Sequence, residues 1–340
     1  MKEHIFYIDV LRVLATIAVV FYHCNTGQNE KLHDVIKIIL NWCVPVFLMI
    51  SGNLFLNFSR VLTIEKMFFK IMPRIIGIIG IWGYVYNLLS LFIIKGASLN
   101  IIFEAAKMVV QGDTTYCYQF WYLYYLIGIY SLLPIIKPWV DKNMVGDKPT
   151  REVIITFIFI LCVSIIIPSL RSILGFSSTY WNNAFTMYSG LSFYVLSGSF
   201  LGKWYMNSIM RKCIFYTWLA QLVFLLINVY IGRSEYVLRW YGYASFFTWE
   251  MSFLLFDTVH RINYDKWTHY VCRIIENCSK SSLGIYIFHV MILWAMTKVP
   301  FVNNWKFQLF NMFFVVIVTM IICIFMERII RKIPVLKKLM

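Results

Sequence analysis

The sequence predicts an all-α fold, a polytopic transmembrane helical bundle of about ten spans with both termini in the cytoplasm. Composition is the first observation behind this. Hydrophobic residues are 60% of the 340 and charged residues 14%, against about 45–50% and about 25% in soluble domains. Length is the second: apolar runs of about 20 residues recur, and at about 1.5 Å per residue each crosses a hydrocarbon core of about 30 Å. The third is the shortness of the polar stretches between runs. They leave no place for a second folded domain, so residues 1–340 read as one integral membrane domain.

The first span, about 6–25, follows Lys2 and holds the uninterrupted apolar stretch Val13–Tyr22. A signal peptide starts similarly, but no A-x-A-like cleavage site follows and charges lie within the segment, so it is expected to stay in the mature chain. The second, about 35–56, contains VPVFLMISGNLFL, and the third, about 72–94, begins behind Lys66, Lys70 and Arg74. In the next loop, SLNIIFEAAKMVVQ (98–111) has the pattern of an interfacial helix. The fourth span, about 119–136, is dominated by FWYLYYLIGIYSLLPII, and the fifth, about 153–170, is almost wholly aliphatic and aromatic. The sixth, about 184–202, ends in FYVLSGSFLG, and the seventh covers about 213–231. The eighth, about 240–257, is diluted by Arg239, Glu250 and Asp257. The ninth, about 282–298, carries SLGIYIFHVMIL, and the tenth, about 307–327, precedes a basic C-terminal segment.

With the N-terminus inside, 21 Lys and Arg fall on inner segments and 9 on outer ones, and Arg12 lies within the first span. This bias places both termini in the cytoplasm and requires an even number of spans. The net charge of +15 raises nucleic acid as a partner, but the basic residues lie in connecting loops with no stripe on a soluble face. No nucleic acid is expected; the bilayer is the principal partner. The eight cysteines form no C-x-x-C pair, so no metal site is expected. Cys43, Cys162 and Cys323 sit in apolar runs as small hydrophobes, and Cys24 with Cys117 is the one disulfide pairing to consider.

Chemistry concentrates in YIDVLRVLATIAVVFYHC, residues 7–24. At about 100° per residue, His23, Thr16 and Asp9 fall within about 60° of Arg12 on one helical stripe. An ionised group facing lipid costs several kcal/mol, so the stripe should face the bundle interior or a hydrated cavity. Arg12 lies about 9 Å above the helix start and His23 about 16 Å further towards the outer leaflet. Asp9, three residues before Arg12, can pair with it. A packing salt bridge with a wet interfacial histidine is the plainer alternative.

Other polar groups stand out. Glu250, in FFTWEMSFLLF, is expensive within a span unless protonated, paired or hydrated. His289 reads as a satisfied core histidine before a catalytic one. Asn53 and Asn57 follow Ser51-Gly52; inter-helix hydrogen bonding is their first reading and contact with an acceptor the second. Tyr116, Tyr118, Trp121, Tyr122, Tyr180 and Trp181 cluster at predicted outer ends, as an interfacial belt before a sugar-stacking surface.

These stretches resemble the acyltransferase 3 family of integral membrane proteins, which O-acylate bacterial surface glycans. Arg12 and His23 have the family's R-x10-H spacing, and VPVFLMISGNLFL (44–56), FWYLYYLIGIYSLLPII (120–136), FYVLSGSFLG (193–202) and SLGIYIFHVMIL (282–293) follow in the family's order. The resemblance implies ten core helices in a bacterial inner (plasma) membrane, a cytoplasmic acyl-CoA co-substrate with no permanently bound cofactor, and a surface glycan or lipid-linked sugar as acceptor. It implies CoA phosphates meeting Lys70 and Arg74, with Arg12 deeper; KIMPR stands here where many relatives have R-x-x-R, and positive-inside anchoring is the plainer reading of the two cations. Where many relatives have His-Leu-Trp this chain has Gln119-Phe120-Trp121. Gln119 cannot be a base but can hydrogen-bond an acceptor hydroxyl, beside Trp121 and Asn53 as acceptor contacts.

Acyl transfer from a thioester to a hydroxyl needs a base or an acyl-carrying nucleophile, and stabilisation of the oxyanion. His23 is the candidate for base or transient acyl carrier, because an imidazole titrates near neutrality. Arg12 would stabilise negative charge or hold the donor, Asp9 would orient Arg12, and Glu250 would orient His23 or pass protons. No G-x-S-x-G elbow is present. The expected enzyme is therefore an O-acetyltransferase, with succinyl as another possible acyl group. The alternatives are a transporter using the same stripe as a pathway and a membrane sensing or substrate-capturing bundle.

Overall fold

The structure, a computed structural model, describes residues 5–24, 30–57, 62–174, 190–233, 237, 240–303, 308–337 and 339. Tyr180, Trp181 and Arg239 lie outside these segments. All regular structure among the described residues is helical. The helices are α1 (Phe6–His23), α2 (Glu30–Leu40), α3 (Cys43–Gly52, continued by a π-helical turn Asn53–Asn57), α4 (Ile64–Lys95), α5 (Leu99–Gln111), α6 (Trp121–Asn143), α7 (Arg151–Leu174), α8 (Gly190–Lys203), α9 (Ser208–Tyr230), α10 (Phe246–His260), α11 (His269–Met296) and α12 (Gln308–Ile330).

Among the described residues, eight helical segments are long and apolar enough to cross a membrane; α2 with α3 counts as one. The sixth and eighth expected spans correspond to α8 and α10, of 14 and 15 residues. Residues 184–189 of the expected sixth span lie outside the described residues, and α10 and its successor α11 start at local signals that hydropathy does not see. Ser245 caps α10, accepting from the Thr248 N–H at 3.1 Å, so this helix begins at Phe246 and not near residue 240. Thr268 caps α11 in the same way, and the helix starts 13 residues ahead of the apolar run at 282. Thr63, Ser98, Thr150 and Asn207 likewise cap the starts of α4, α5, α7 and α9, each satisfying a backbone N–H that the helix itself leaves orphaned.

The chain forms two compact units. The first comprises residues up to Ser59 and Trp139–Ile322. Within it α3 packs closely against α8, α1 against α11 and α3, and α9 against α10 and α2. The α3–α8 contact is backbone to backbone: a Cβ added at Gly52 would collide with the Val195 carbonyl, and one added at Gly198 with the Met49 carbonyl. Small residues allow this approach, which lets dispersion replace the hydrophobic drive that lipid cannot supply between helices. Just beyond Gly52, Asn57 donates to the Ser199 carbonyl at 2.7 Å and accepts from the Ser199 hydroxyl at 2.5 Å. On α9, Phe215, Tyr216, Val223, Ile227 and Tyr230 are exposed, an apolar face suited to lipid and not to water.

The second unit comprises Arg60–Pro138 and Cys323–Met340. Here α5, at the position expected for an interfacial helix, lays Ile101, Ala105 and Met108 onto Leu91 of α4, and Lys95 pairs with Glu104 at 2.6 Å. Gly112, left-handed at φ +70°, terminates α5, a backbone conformation that a residue with a Cβ adopts only with strain.

The one disulfide pairing considered does not form: Cys24 and Cys117 are both buried and not joined to each other, and burial pushes the Cys117 thiol up to about 11.

Candidate functional site

The α1 stripe is built on the face that meets α11. Asp9 is buried, and the Arg12 guanidinium donates to its carboxylate at 3.3 Å. Both bond a residue the sequence reading passed over: Arg12 donates to the Ser279 hydroxyl at 2.8 Å, and that hydroxyl donates to Asp9 at 2.5 Å. The result is a closed triangle of carboxylate, guanidinium and hydroxyl, in which each charge has a partner of opposite sign and a polar neighbour. Burying a charge inside a membrane requires such compensation. The Arg12 side chain keeps 29% of its surface exposed, so it is only partly withdrawn from the surroundings. Thr16, on the same stripe, donates back to the Arg12 carbonyl at 2.7 Å and belongs to the helix itself.

At the other end of α1, His23 faces α11 again. Its ring centroid lies 5.4 Å from that of His289, with the planes 40° apart. Arg12 and His23 are eleven residues apart and Ser279 and His289 ten, so two parallel helices meet at both levels, about 15 Å apart along their axes. Between these levels Ala15 and Ala18 on α1 and Ser281, Ser282 and Gly284 on α11 are small and buried. His289 is fully buried. Its Nδ1 lies 2.8 Å from the Tyr286 carbonyl and 3.1 Å from that of Ile285, while its Nε2 is buried with no hydrogen-bond partner among the described residues. The core-histidine reading therefore holds for one ring nitrogen only.

The remaining expected residues of the first unit lie elsewhere. Glu250, on α10, is buried, and its two oxygens accept from Thr217 and Gln221 of α9, each at 2.5 Å. Its bonds fasten α10 to α9 and do not run to His23. Asn53 donates to the Tyr7 hydroxyl and accepts from Asn57 at 2.9 Å. Tyr7 stands at the start of α1, sixteen residues and about 24 Å from His23, so the Asn53 amide knits α1 to the α3–α8 pair at the end away from the imidazole. A residue whose weight the sequence reading missed is Asp257. It is buried and accepts from the Arg261 guanidinium at 2.7 and 3.0 Å and from the Met206 N–H at 3.1 Å. Beside it a groove of about 770 Å³ runs between α9 and α10, lined by Trp42, Arg211, Phe215, Trp218, Met251 and Arg261; no residue of the α1 stripe lines it.

In the second unit, Lys70 and Arg74 are exposed, and the Arg74 Nε donates to the Leu339 carbonyl at 3.1 Å. Gln119 is buried in the 3-10 turn Tyr118–Phe120 that leads into α6. Phe120 packs edge-on against Tyr86 at 5.7 Å, and Trp121 is half-buried, its ring 6.2 Å from Tyr122.

Neither a curated protein nor a solved structure matches the chain. The family model of the acyltransferase 3 group, described as an acyltransferase domain, matches residues 5–328, nearly the whole length and both helices of the stripe contact. With a helical membrane architecture and a polar seam between α1 and α11, the chain belongs to the acyltransferase 3 family.

Proposed function

We propose that the chain is a membrane O-acyltransferase that moves an acyl group, acetyl in the first instance, from cytoplasmic acyl-CoA to a hydroxyl of an extracytoplasmic glycan or its lipid-linked precursor. The observation that carries this is the pairing of Arg12 with Ser279 and of His23 with His289 along one helix contact. It sets a cation and an imidazole on a single seam, near opposite ends of a span. We place the protein in the bacterial inner membrane with ten spans, α8 and α10 included, and both termini inside, in line with the distribution of Lys and Arg.

In this reading His23 takes the proton of the acceptor hydroxyl as it attacks the thioester carbonyl, or carries the acyl group transiently. Arg12, held by Asp9 and Ser279, supplies positive charge to the donor side. Lys70 and Arg74 are assigned to the CoA phosphates, and Gln119 and Trp121 to the acceptor. The bonds of Asn53 and Glu250 favour scaffold roles.

The test is transfer of labelled acetyl from acetyl-CoA to surface polysaccharide in membranes holding wild-type or His23→Ala protein. The proposal expects labelling with the first and its loss with the second. Equal labelling removes His23 from the chemistry, and solute uptake that needs no CoA ester replaces the enzyme with a transporter.

A further inference from the structure

His289 is the buried titratable side chain beside the His23 ring that the chemistry above leaves unused. A carbonyl oxygen only accepts, so the contacts of Nδ1 with the Ile285 and Tyr286 carbonyls place the ring hydrogen on Nδ1. The neutral ring then carries its lone pair on Nε2. That nitrogen sits on the ring edge away from the α11 backbone, is buried, and has no partner among the described residues. A buried acceptor left without a donor lowers stability, and native structures hold few of them.

The neighbouring donor is close. The ring centroids are 5.4 Å apart with the planes 40° apart, a separation at which two imidazoles can be joined by one N–H···N hydrogen bond. The two carboxylates that the sequence offers for work with His23 do not orient it: Asp9 bonds Arg12 and Ser279 at the far end of α1, and Glu250 bonds Thr217 and Gln221 on α9.

We propose that His289 is a positioning residue for His23: its Nε2 accepts a hydrogen bond from one ring nitrogen of His23, which keeps the lone pair of the other turned towards the acceptor hydroxyl. This rests on the acyltransferase reading. In the step it serves, the hydroxyl proton passes to His23 while the new C–O bond forms and the thioester C–S bond breaks. The proton then leaves the His23 imidazolium for the CoA sulfur. His289 stays neutral throughout and holds the second N–H of His23. A backbone carbonyl fixing a first imidazole, which in turn fixes a second, follows the logic by which outer partners set the tautomer of a working histidine.

Two measurements on the full chain in lipid test this. In solid-state NMR of histidine-labelled protein, wild type should show one neutral Nδ1–H ring that disappears in His289→Leu, and the nitrogen resonances of His23, assigned with His23→Gln, should move in His289→Leu. Unmoved His23 resonances would overturn the proposal. In acetyl-CoA kinetics, His289→Leu should lower kcat about 10–100-fold at unchanged KM, the usual loss when an orienting partner is removed. His289→Gln, whose side-chain oxygen can accept where Nε2 does, should recover activity to within about tenfold of wild type. Full activity of His289→Leu, or a His289→Gln as impaired as His289→Leu, would also overturn it. If wild type itself transfers no acyl group the functional reading fails, and the NMR comparison still decides whether the two imidazoles are bonded.

Discussion

Replacing Gly52 by alanine probes the packing that holds α1 in place. The added Cβ would lie 2.6 Å from the Val195 carbonyl carbon and 2.8 Å from its Cα, where carbon pairs rest at about 3.5–4.0 Å. The obstacle is backbone, so no rotamer change relieves it, and α3 and α8 must part by about 1 Å. Overpacking of this kind costs about 1–3 kcal/mol, and with main chain on both sides the upper figure applies. Alanine returns about 1 kcal/mol of helix propensity, which leaves a net loss of about 2 kcal/mol. Gly198→Ala meets the Met49 backbone in the mirror-image manner, and the double variant should lose less than the sum, since both widen the same gap. Gly80→Ala on α4, where a Cβ meets nothing within 4 Å, is the control and should gain up to about 1 kcal/mol. Equilibrium unfolding in mixed micelles reads all four. Because α3 also packs on α1, acyl transfer should fall with stability in the first three. A Gly52→Ala protein as stable as Gly80→Ala would refute the close-approach argument.

Removing the Ser279 hydroxyl with Ser279→Ala takes away the group that bonds both Asp9 and Arg12 and should cost about 1–3 kcal/mol, read by the same unfolding assay; no loss would mean water replaces the hydroxyl. Asp257→Asn strips the counter-charge from Arg261 and Arg211 and should cost about 3 kcal/mol, in the range for breaking a buried pair. Cys117, with its thiol pushed up to about 11 by burial, should alkylate slowly at neutral pH and faster as pH rises, because the thiolate reacts; mass spectrometry of the peptide would follow it, and rapid labelling at pH 7 would contradict the burial.

Much of this architecture is legible in the sequence because it is local. A stripe such as Asp9, Arg12 and His23 needs only helical periodicity, and the apolar runs need only length. What is not legible is pairing between helices. Ser279 lies in HYVCRIIENCSKS, too polar for a hydropathy window, so the first thirteen residues of α11 and the partner they bring to Asp9 go unseen. His289 reads as core because nothing in the sequence says that α11 lies parallel to α1 in the register that brings the two imidazoles together. Glu250 is recognisable as expensive, but its donors Thr217 and Gln221 are set by how α9 packs on α10, and Asn53 is turned to Tyr7 by a π turn that propensity does not foretell. Capping serines and threonines, by contrast, mark the true starts of α10 and α11 and could have corrected those boundaries from sequence alone.

The central claim is that the seam between α1 and α11 carries CoA-dependent acyl transfer. Purified protein in liposomes, given acetyl-CoA and acceptor glycan, should release one free CoA thiol for each ester formed. His23→Gln should lower that rate at least about 100-fold, as loss of a general base does, while its unfolding stays near wild type. Ester formation by His23→Gln at the wild-type rate, or thiol release with no ester on the glycan, would contradict the account.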